Sequence, residues 1–492
     1  MPALRLRVVS LGLLVACAGP THQPVEQESH PPVWLTPNLD DDDVDGKADA
    51  VDERINGTDD RLDLFELRLA VDRPFDATIG GPGANSYRVL SSVEEGVERW
   101  YVEAVTVRSA TSAATVSLTV RGETEPALLI SIDVRPFVLC NALDTPRTMF
   151  VVRNDATRSF VDALRAALTD AGPELHVFDG IRGGDRWAQD AAEYGYFLGD
   201  PMPVALKGMR ARFAFYPCEE LDELFAAYNT ARNRALVVAG EPRPVRHFQD
   251  WYGNLECTPP FRAADGKVWP QGRVIVGRQR DVTMHDDVRQ LLQAQGVQWP
   301  PIELDVSMTQ IGHVDELVNF VPCATARHGF KMLVASPTAG RRWLEEQQRA
   351  GRGALRLLAG KRGATTIDAL LADAATMAAN EATAASMLAN RTLLVRELDL
   401  PEADVVDVPI VYRRRGLGVW PNAVNGVTLG ARYLSPRLFG PVADGVDLLE
   451  EDLRRSLGGT GVACVFLDCF DGYSVNDGQI HCGTNVLRTV RD

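Results

Sequence analysis

From Leu62 to about Arg121 the apolar residues come in short alternating runs: Leu64 to Val71, Tyr87 to Leu90, Trp100 to Val107 and Ala114 to Val120. Turn formers such as Gly80-Gly81-Pro82-Gly83 separate them. Alternation of this kind is what a strand with one buried face requires, so the stretch predicts a small all-β sandwich. Beyond Leu128 the texture changes. Apolar runs at Leu128 to Val134, Thr148 to Val152, Arg273 to Val276 and Met332 to Ala335 predict strands. Helical periodicity covers Ser159 to Ala171, Asp286 to Gln295, Arg342 to Ala350 and Thr365 to Asn390. Strands alternating with helices predict a large α/β domain over 128–492. The residues themselves show no internal repeat.

The first residues follow another logic. Arg5 and Arg7 precede an apolar run from Val8 to Ala16, too short to span a bilayer, so 1–16 is expected to be an export signal. Leu14-Val15-Ala16-Cys17 is similar to a bacterial lipobox, which makes Cys17 the expected lipidation site; an ordinary signal peptide with a chance cysteine is the alternative. The chain is therefore expected to be exported to a bacterial cell envelope and held to the membrane by lipid. Residues 17–37, rich in Pro, Gln, Glu and His, read as a flexible tether. The run Asp40-Asp41-Asp42-Asp43-Val44-Asp45-Gly46 is either a solvated acidic linker or a cation site, because carboxylates this dense repel one another. A net charge of −16 argues against nucleic acid and anionic lipid as partners. Export permits disulfides, but the seven cysteines beyond Cys17 are an odd number, so at least one thiol stays free within a single chain.

Four stretches carry the candidate chemistry: Gly184 to Tyr196, Gly253 to Pro260, Gly312 to Glu316, and His481-Cys482-Gly483-Thr484-Asn485. Singly, each has a structural explanation: Trp187 as a core aromatic, Asp190 as a surface or capping carboxylate, His313 as a satisfied histidine. Together they supply a thiol, an imidazole and two carboxylates. A guanidinium is always protonated, and its planar fork pairs with carboxylates that each accept two N–H bonds. Asp190 and Asp315 would hold it and leave its central carbon open to Cys482, with His313 moving the protons.

These stretches, in this order, resemble the catalytic domain of animal-type protein-arginine deiminases. The likeness extends through Ala335-Ser336-Pro337, Asp404 to Pro409, Pro421-Asn422-Ala423-Val424-Asn425 and Phe439-Gly440-Pro441-Val442. It implies a pentein-type α/β propeller with five-fold pseudosymmetry, preceded here by one immunoglobulin-like β-sandwich at 38–127. It also implies calcium-dependent conversion of peptidyl arginine to citrulline. By resemblance Cys482 is the nucleophile, His313 the general acid/base, and Asp190 and Asp315 the guanidinium-binding carboxylates. Trp187 packs on the substrate's aliphatic stem, and Arg210 and Arg212 bind its backbone carbonyls. A late rim arginine of the family is replaced by Asn476.

The resemblance also assigns calcium ligands: Gln189, Glu193 and Glu256 by side chain, and Tyr252 and Leu255 by carbonyl. Asn38, Asp40, Asp42, Asp60 and Asp63 are implied in the preceding sandwich. A neighbouring family site is lost to Ala191, Lys207 and Ala211, and the Lys207 ammonium is expected to stand in for that ion. The expected substrate is arginine in proteins or peptides. The rival readings are an enzyme for free arginine or agmatine, and a calcium-binding surface lipoprotein with a vestigial site.

Overall fold

The computed structural model describes residues 33–35, 65–70, 75–80, 87–94, 97–104, 114–121, 124, 128–168, 172–181, 184–199, 203–210, 218–230, 236–237, 239, 243 and 248–489. Cys17, the expected ligands Asn38, Asp40, Asp42, Asp60 and Asp63, and Arg212 lie outside the described residues, as does the expected tether except Val33–Leu35, which is a strand rather than free linker. No described helix is long and apolar enough to cross a membrane.

Strands between residues 33 and 134 form two sheets. One, in the order Phe65–Ala70, Val97–Ala104, Tyr87–Glu94, is antiparallel; the other orders Val33–Leu35, Leu128–Val134, Ala114–Val120, Phe75–Gly80. The strand Leu128–Val134 pairs with Ala114–Val120 and, in parallel, with Val33–Leu35. It was expected to open the α/β part, but its hydrogen bonds go to the β-rich part instead. Apolarity alone does not say which sheet a strand joins.

From residue 137 onward one arrangement recurs in five sheets. A first strand runs antiparallel to a second, which runs parallel to a third, with helix between second and third. Ala192–Phe197 pairs with Pro203–Lys207 and that with Leu236–Val237, across the helix Glu219–Thr230. Leu255–Cys257, Val274–Arg278 and Ile302–Asp305 enclose Asp286–Gln295. Val318–Pro322, Phe330–Ser336 and Val405–Pro409 enclose Pro337–Gln347 and the long Ala374–Leu398. Val427–Leu429, Arg432–Pro436 and Ala463–Leu467 enclose Leu448–Ser456. In the fifth, the chain's last described strand, Thr484–Thr489, supplies the first strand to Thr145–Arg153 and Glu174–Asp179, around Arg158–Ala167. Parallel neighbours need such a crossover, which is why each helix sits where it does.

Local sequence explains the helix ends. Ser336 caps Pro337–Gln347 by accepting from Ala339 N, with Pro337 at the first helical position. Asp373 and Asp447 cap theirs the same way, and Gly296 ends Asp286–Gln295 with φ 69°. The pattern Thr365 to Asn390, expected as one helix, divides at Asp373 into Ile367–Ala372 and Ala374–Leu398. An aspartate that binds two backbone N–H groups starts a new helix rather than continuing an old one. The largest apolar core lies under the second to fourth sheets, built from residues such as Leu304, Val318, Phe330, Leu344, Leu394 and Tyr433.

Candidate active site

Each first strand of the five sheets is entered through a short turn. Two residues before four of those strands stand Asp190, Gly253, Asn425 and Cys482, and three before the remaining one stands Asp315. The five turns meet. A Cβ built on Gly253 would lie 2.5 Å from His313 Nδ1, 3.1 Å from Asp190 Oδ1 and 3.2 Å from Asp315 Oδ2. Asp315 Oδ2 in turn lies 3.2 Å from Cys482 Sγ, and Asn425 Nδ2 lies 3.1 Å from that sulfur. The four residues expected to carry the chemistry thus surround one point, all of them buried.

Each is held by its neighbours. Asp190 Oδ1 accepts from Gly253 N at 3.1 Å. Glu316 Oε1 accepts from the backbone N–H groups of Gly312 and His313, at 3.2 and 3.1 Å, which fixes the loop that presents the imidazole. His313 Nε2 lies 2.8 Å from Phe248 O; a carbonyl only accepts, so that nitrogen carries hydrogen and Nδ1 is left to face the site, 3.7 Å from Asp190 Oδ1. Asn485 Nδ2 donates to Ala188 O and Ala192 O, binding the nucleophile's strand to the Asp190 turn. Asn425 grips the nucleophile twice: Nδ2 donates to the sulfur, and Oδ1 accepts from Cys482 N at 3.2 Å.

Two buried atoms at the centre have no hydrogen-bond partner among the described residues: His313 Nδ1 and Asp315 Oδ1. Orphaned polar atoms are rare in cores, and here they are a free base and a free carboxylate oxygen. Burial pushes Asp190 up to about 6, against the pull of His313 and Arg210. The Cys482 thiol is pushed well above its usual range by burial, then by the charges of Asp315 and Asp190. A guanidinium between those carboxylates would cancel the two electrostatic causes at once.

His481 was not singled out by its own sequence position, yet its Nδ1 lies 3.0 Å from Asp315 Oδ2 and its Nε2 3.3 Å from Glu256 Oε1. Burial opposes its charge, but Glu256 and Asp315 raise its pKa on balance. Asn425 and Gly253 were likewise without an assigned role. Gly253 and His481 lie inside the four conspicuous stretches and Asn425 in the run 421–425 to which the family likeness extends, which is the signal the sequence offered.

Of the substrate-binding candidates, Trp187 is half-buried, its ring 5.6 Å from that of Tyr473. Gly478 makes room for it, since a Cβ there would come within 2.2 Å of the ring. Arg210 departs from its expected place at a rim. Its guanidinium is fully enclosed, 2.9 Å from Asp185 Oδ2, bonded to Asp222 and to Cys218 O, and over the Trp251 ring. A buried charge needs opposite charge beside it, and two carboxylates outbid solvent for this one.

Around the expected cation site, a cavity of about 40 Å³ is lined by Gln189, Glu193 and Glu256. Gln189 Nε2 donates to Glu193 Oε2 at 2.7 Å, which leaves the amide oxygen available. Burial, then Glu256, pushes Glu193 well upward; burial does the same to Glu256. Two enclosed carboxylates that resist ionisation, with an amide oxygen beside them, are donors of the kind a hard cation takes; Tyr252 and Leu255, also expected as ligands, are not among the residues lining this cavity. Among the described residues no three His, Cys, Asp or Glu side chains group around a metal position, so such a site would depend on amide and carbonyl oxygens. All seven described cysteines are free thiols.

Residues 129–492 match the family described as protein-arginine deiminase. The chain belongs to the protein-arginine deiminase family. It is 33% identical over 373 residues to human protein-arginine deiminase type-3, a match covering 72% of this chain and 54% of that protein. Mouse protein-arginine deiminase type-1 is 31% identical over 456 residues, covering 87% of this chain and 67% of the relative. The chain thus spans about half the length of the first of these deiminases. Among solved structures it is similar to an agmatine deiminase of C. Jejuni, 11% identical, with a TM-score of 0.43, covering 73% of this chain and 98% of that one.

Proposed function

We propose that this chain hydrolyses the guanidinium of arginine in peptides or proteins to citrulline and ammonia. The observation that carries the reading is the meeting of Asp190, His313, Asp315 and Cys482 at one point, with His313 Nδ1 and Asp315 Oδ1 buried and unpartnered there. Asp190 and Asp315 would grip the guanidinium from two sides. Neutralised by it, they release the thiol from their repulsion, and its proton passes to His313 Nδ1. The sulfur then bonds to the central carbon, the C–N bond breaks, and that proton leaves with ammonia. His313 next takes a proton from water, whose oxygen attacks the same carbon; the C–S bond breaks as His313 returns that proton to the sulfur, and neutral citrulline departs with one proton released to solvent. Asn425 Nδ2, already on the sulfur, stabilises the thiolate in both halves.

Calcium would be held by Gln189, Glu193, Tyr252, Leu255 and Glu256, where it would neutralise the two carboxylates and stiffen the turn that carries Asp190. A rise in unfolding temperature with calcium chloride, absent in Glu256→Gln, tests this without recourse to activity. The five repeated sheets, with their entry turns meeting at one point, support a five-bladed propeller for residues 137–489, and the paired sheets before it support a β-sandwich. Export and lipidation at Cys17 belong to the same proposal; a Cys17→Ser variant that no longer partitions into detergent would support them.

A second reading, deimination of free arginine or agmatine, draws on the enclosure of Arg210, which removes one expected donor for substrate carbonyls. Ammonia release from N-acyl-arginine amide against free arginine and agmatine decides between them. A preference of at least tenfold for the amide is expected, and turnover of free arginine alone would overturn the peptide reading.

A further inference from the structure

Beside the site lies a cleft of about 150 Å³ that ends on Asn425, whose amide touches the Cys482 sulfur. Four charged residues line it: Glu316, Arg362, Arg413 and Asp477. The acids are already engaged. Glu316 accepts from Thr309, Gly312 and His313, and its pKa is pushed up to about 8 by burial and then by Asp315, so it is largely uncharged near neutral pH. Asp477 accepts from Gln310 Nε2 at 2.9 Å.

The arginines are not engaged in this way. Arg362 is exposed and Arg413 half-buried. A Cβ on Gly363, next to Arg362 in the chain, would lie 3.8 Å from Arg413 Nη2, so Arg413 reaches the turn that carries Arg362, and both line the cleft. Arg413 Nη2 donates one long bond, 3.4 Å, to Val419 O; its charge reaches Asp477 and Asp373, but neither Arg413 nor Arg362 closes to a salt bridge with a described residue. In a chain of net charge −16, a cleft beside the site in which two guanidinium groups face a single charged carboxylate, Asp477, is a local reversal of sign. Guanidinium groups with free N–H donors recognise carboxylates in a planar, two-bond fashion.

We propose that Arg362 and Arg413 form a carboxylate-binding subsite that selects arginine substrates with an acidic group adjoining the target residue. The group is either an Asp or Glu side chain or a free C-terminal carboxylate. The inference rests on the deiminase reading above. Its test compares kcat/KM for acetylated, amidated tripeptides with Asp or Asn before the arginine, Asp or Asn after it, and a terminal arginine as free acid or amide. Wild type, Arg362→Gln, Arg413→Gln and the double variant are measured, each checked by thermal unfolding.

In the wild type at least one of the three ratios is expected to favour the carboxylate by roughly two- to fivefold at low salt, the upper part of the range of a solvent-accessible charge pair. The pair that shows it identifies the source of the carboxylate. The ratio should fall towards one in about 0.5 M salt and in the double variant. Three ratios near one in the wild type, or a ratio that survives in the double variant, would overturn the subsite. Should no peptide be turned over, the deiminase reading fails separately. The same ratios are then read as dissociation constants by calorimetry, where equal affinity for acid and amide would also overturn the subsite.

Discussion

Gly253 offers the sharpest test of how the five turns make a site. Its φ lies outside the left-handed region, so the backbone itself accepts alanine. The added methyl, however, would stand 2.5 Å from His313 Nδ1, where ordinary contact begins at 3.4 Å, so something must move by about 0.9 Å. His313 is only 1% exposed and its far nitrogen is tied to Phe248 O at 2.8 Å, so the ring cannot swing away without losing that bond. Asp190 and Asp315 crowd the same methyl at 3.1 and 3.2 Å and have little room to absorb the shift. Overpacking of this kind costs about 1–3 kcal/mol of stability. Displacement of a reacting group by about 1 Å costs on the order of 10²-fold in rate. Gly253→Ala is therefore expected to lose about 10²-fold in kcat for ammonia release from N-acyl-arginine amide, while unfolding in a single cooperative transition. A variant within about threefold of wild type in kcat would refute the claim that this glycine is the space in which the acid/base and both carboxylates meet.

Cys482→Ala should abolish turnover, by at least about 10³-fold, yet still bind an arginine peptide in calorimetry, because Asp190 and Asp315 remain. Asn425→Ala removes a donor to the sulfur; a charge-assisted bond contributes about 1.5–3 kcal/mol, so activity should fall roughly 10- to 10²-fold. The midpoint of iodoacetamide alkylation at Cys482 should move to higher pH in the same variant. The Glu316 carboxyl, raised from 4.5 to about 8, keeps its proton in the folded chain where the unfolded chain has lost it. Its contribution to stability is full below about pH 4.5 and is lost as pH rises through 8, and Glu316→Gln should flatten that fall in urea titrations at pH 5 and 8.

The α/β alternation, the chemical residue types and their grouping in four stretches were readable in the chain, because periodicity and side-chain chemistry are local properties. Asp286–Gln295 was predicted to the residue, since its amphipathic pattern coincides with its capping. The five-fold recurrence was expected only from the family resemblance and was not readable in the residues themselves. Corresponding places in the five turns hold two aspartates, Asp190 and Asp315, a glycine, Gly253, an amide, Asn425, and a thiol, Cys482, too varied for a repeat to survive in the residues even though one recurs in the hydrogen bonding. The parts played by Gly253, Asn425 and His481 exist only once the turns converge: a glycine as space, an amide as the donor to sulfur, an imidazole between Asp315 and Glu256. The fate of Arg210 was decided the same way, because which carboxylates surround a guanidinium depends on residues 8 to 25 positions distant being folded against it. The sequence named the reacting groups; the order of strands in the sheets determined which of them face one another, and enclosure set their charge.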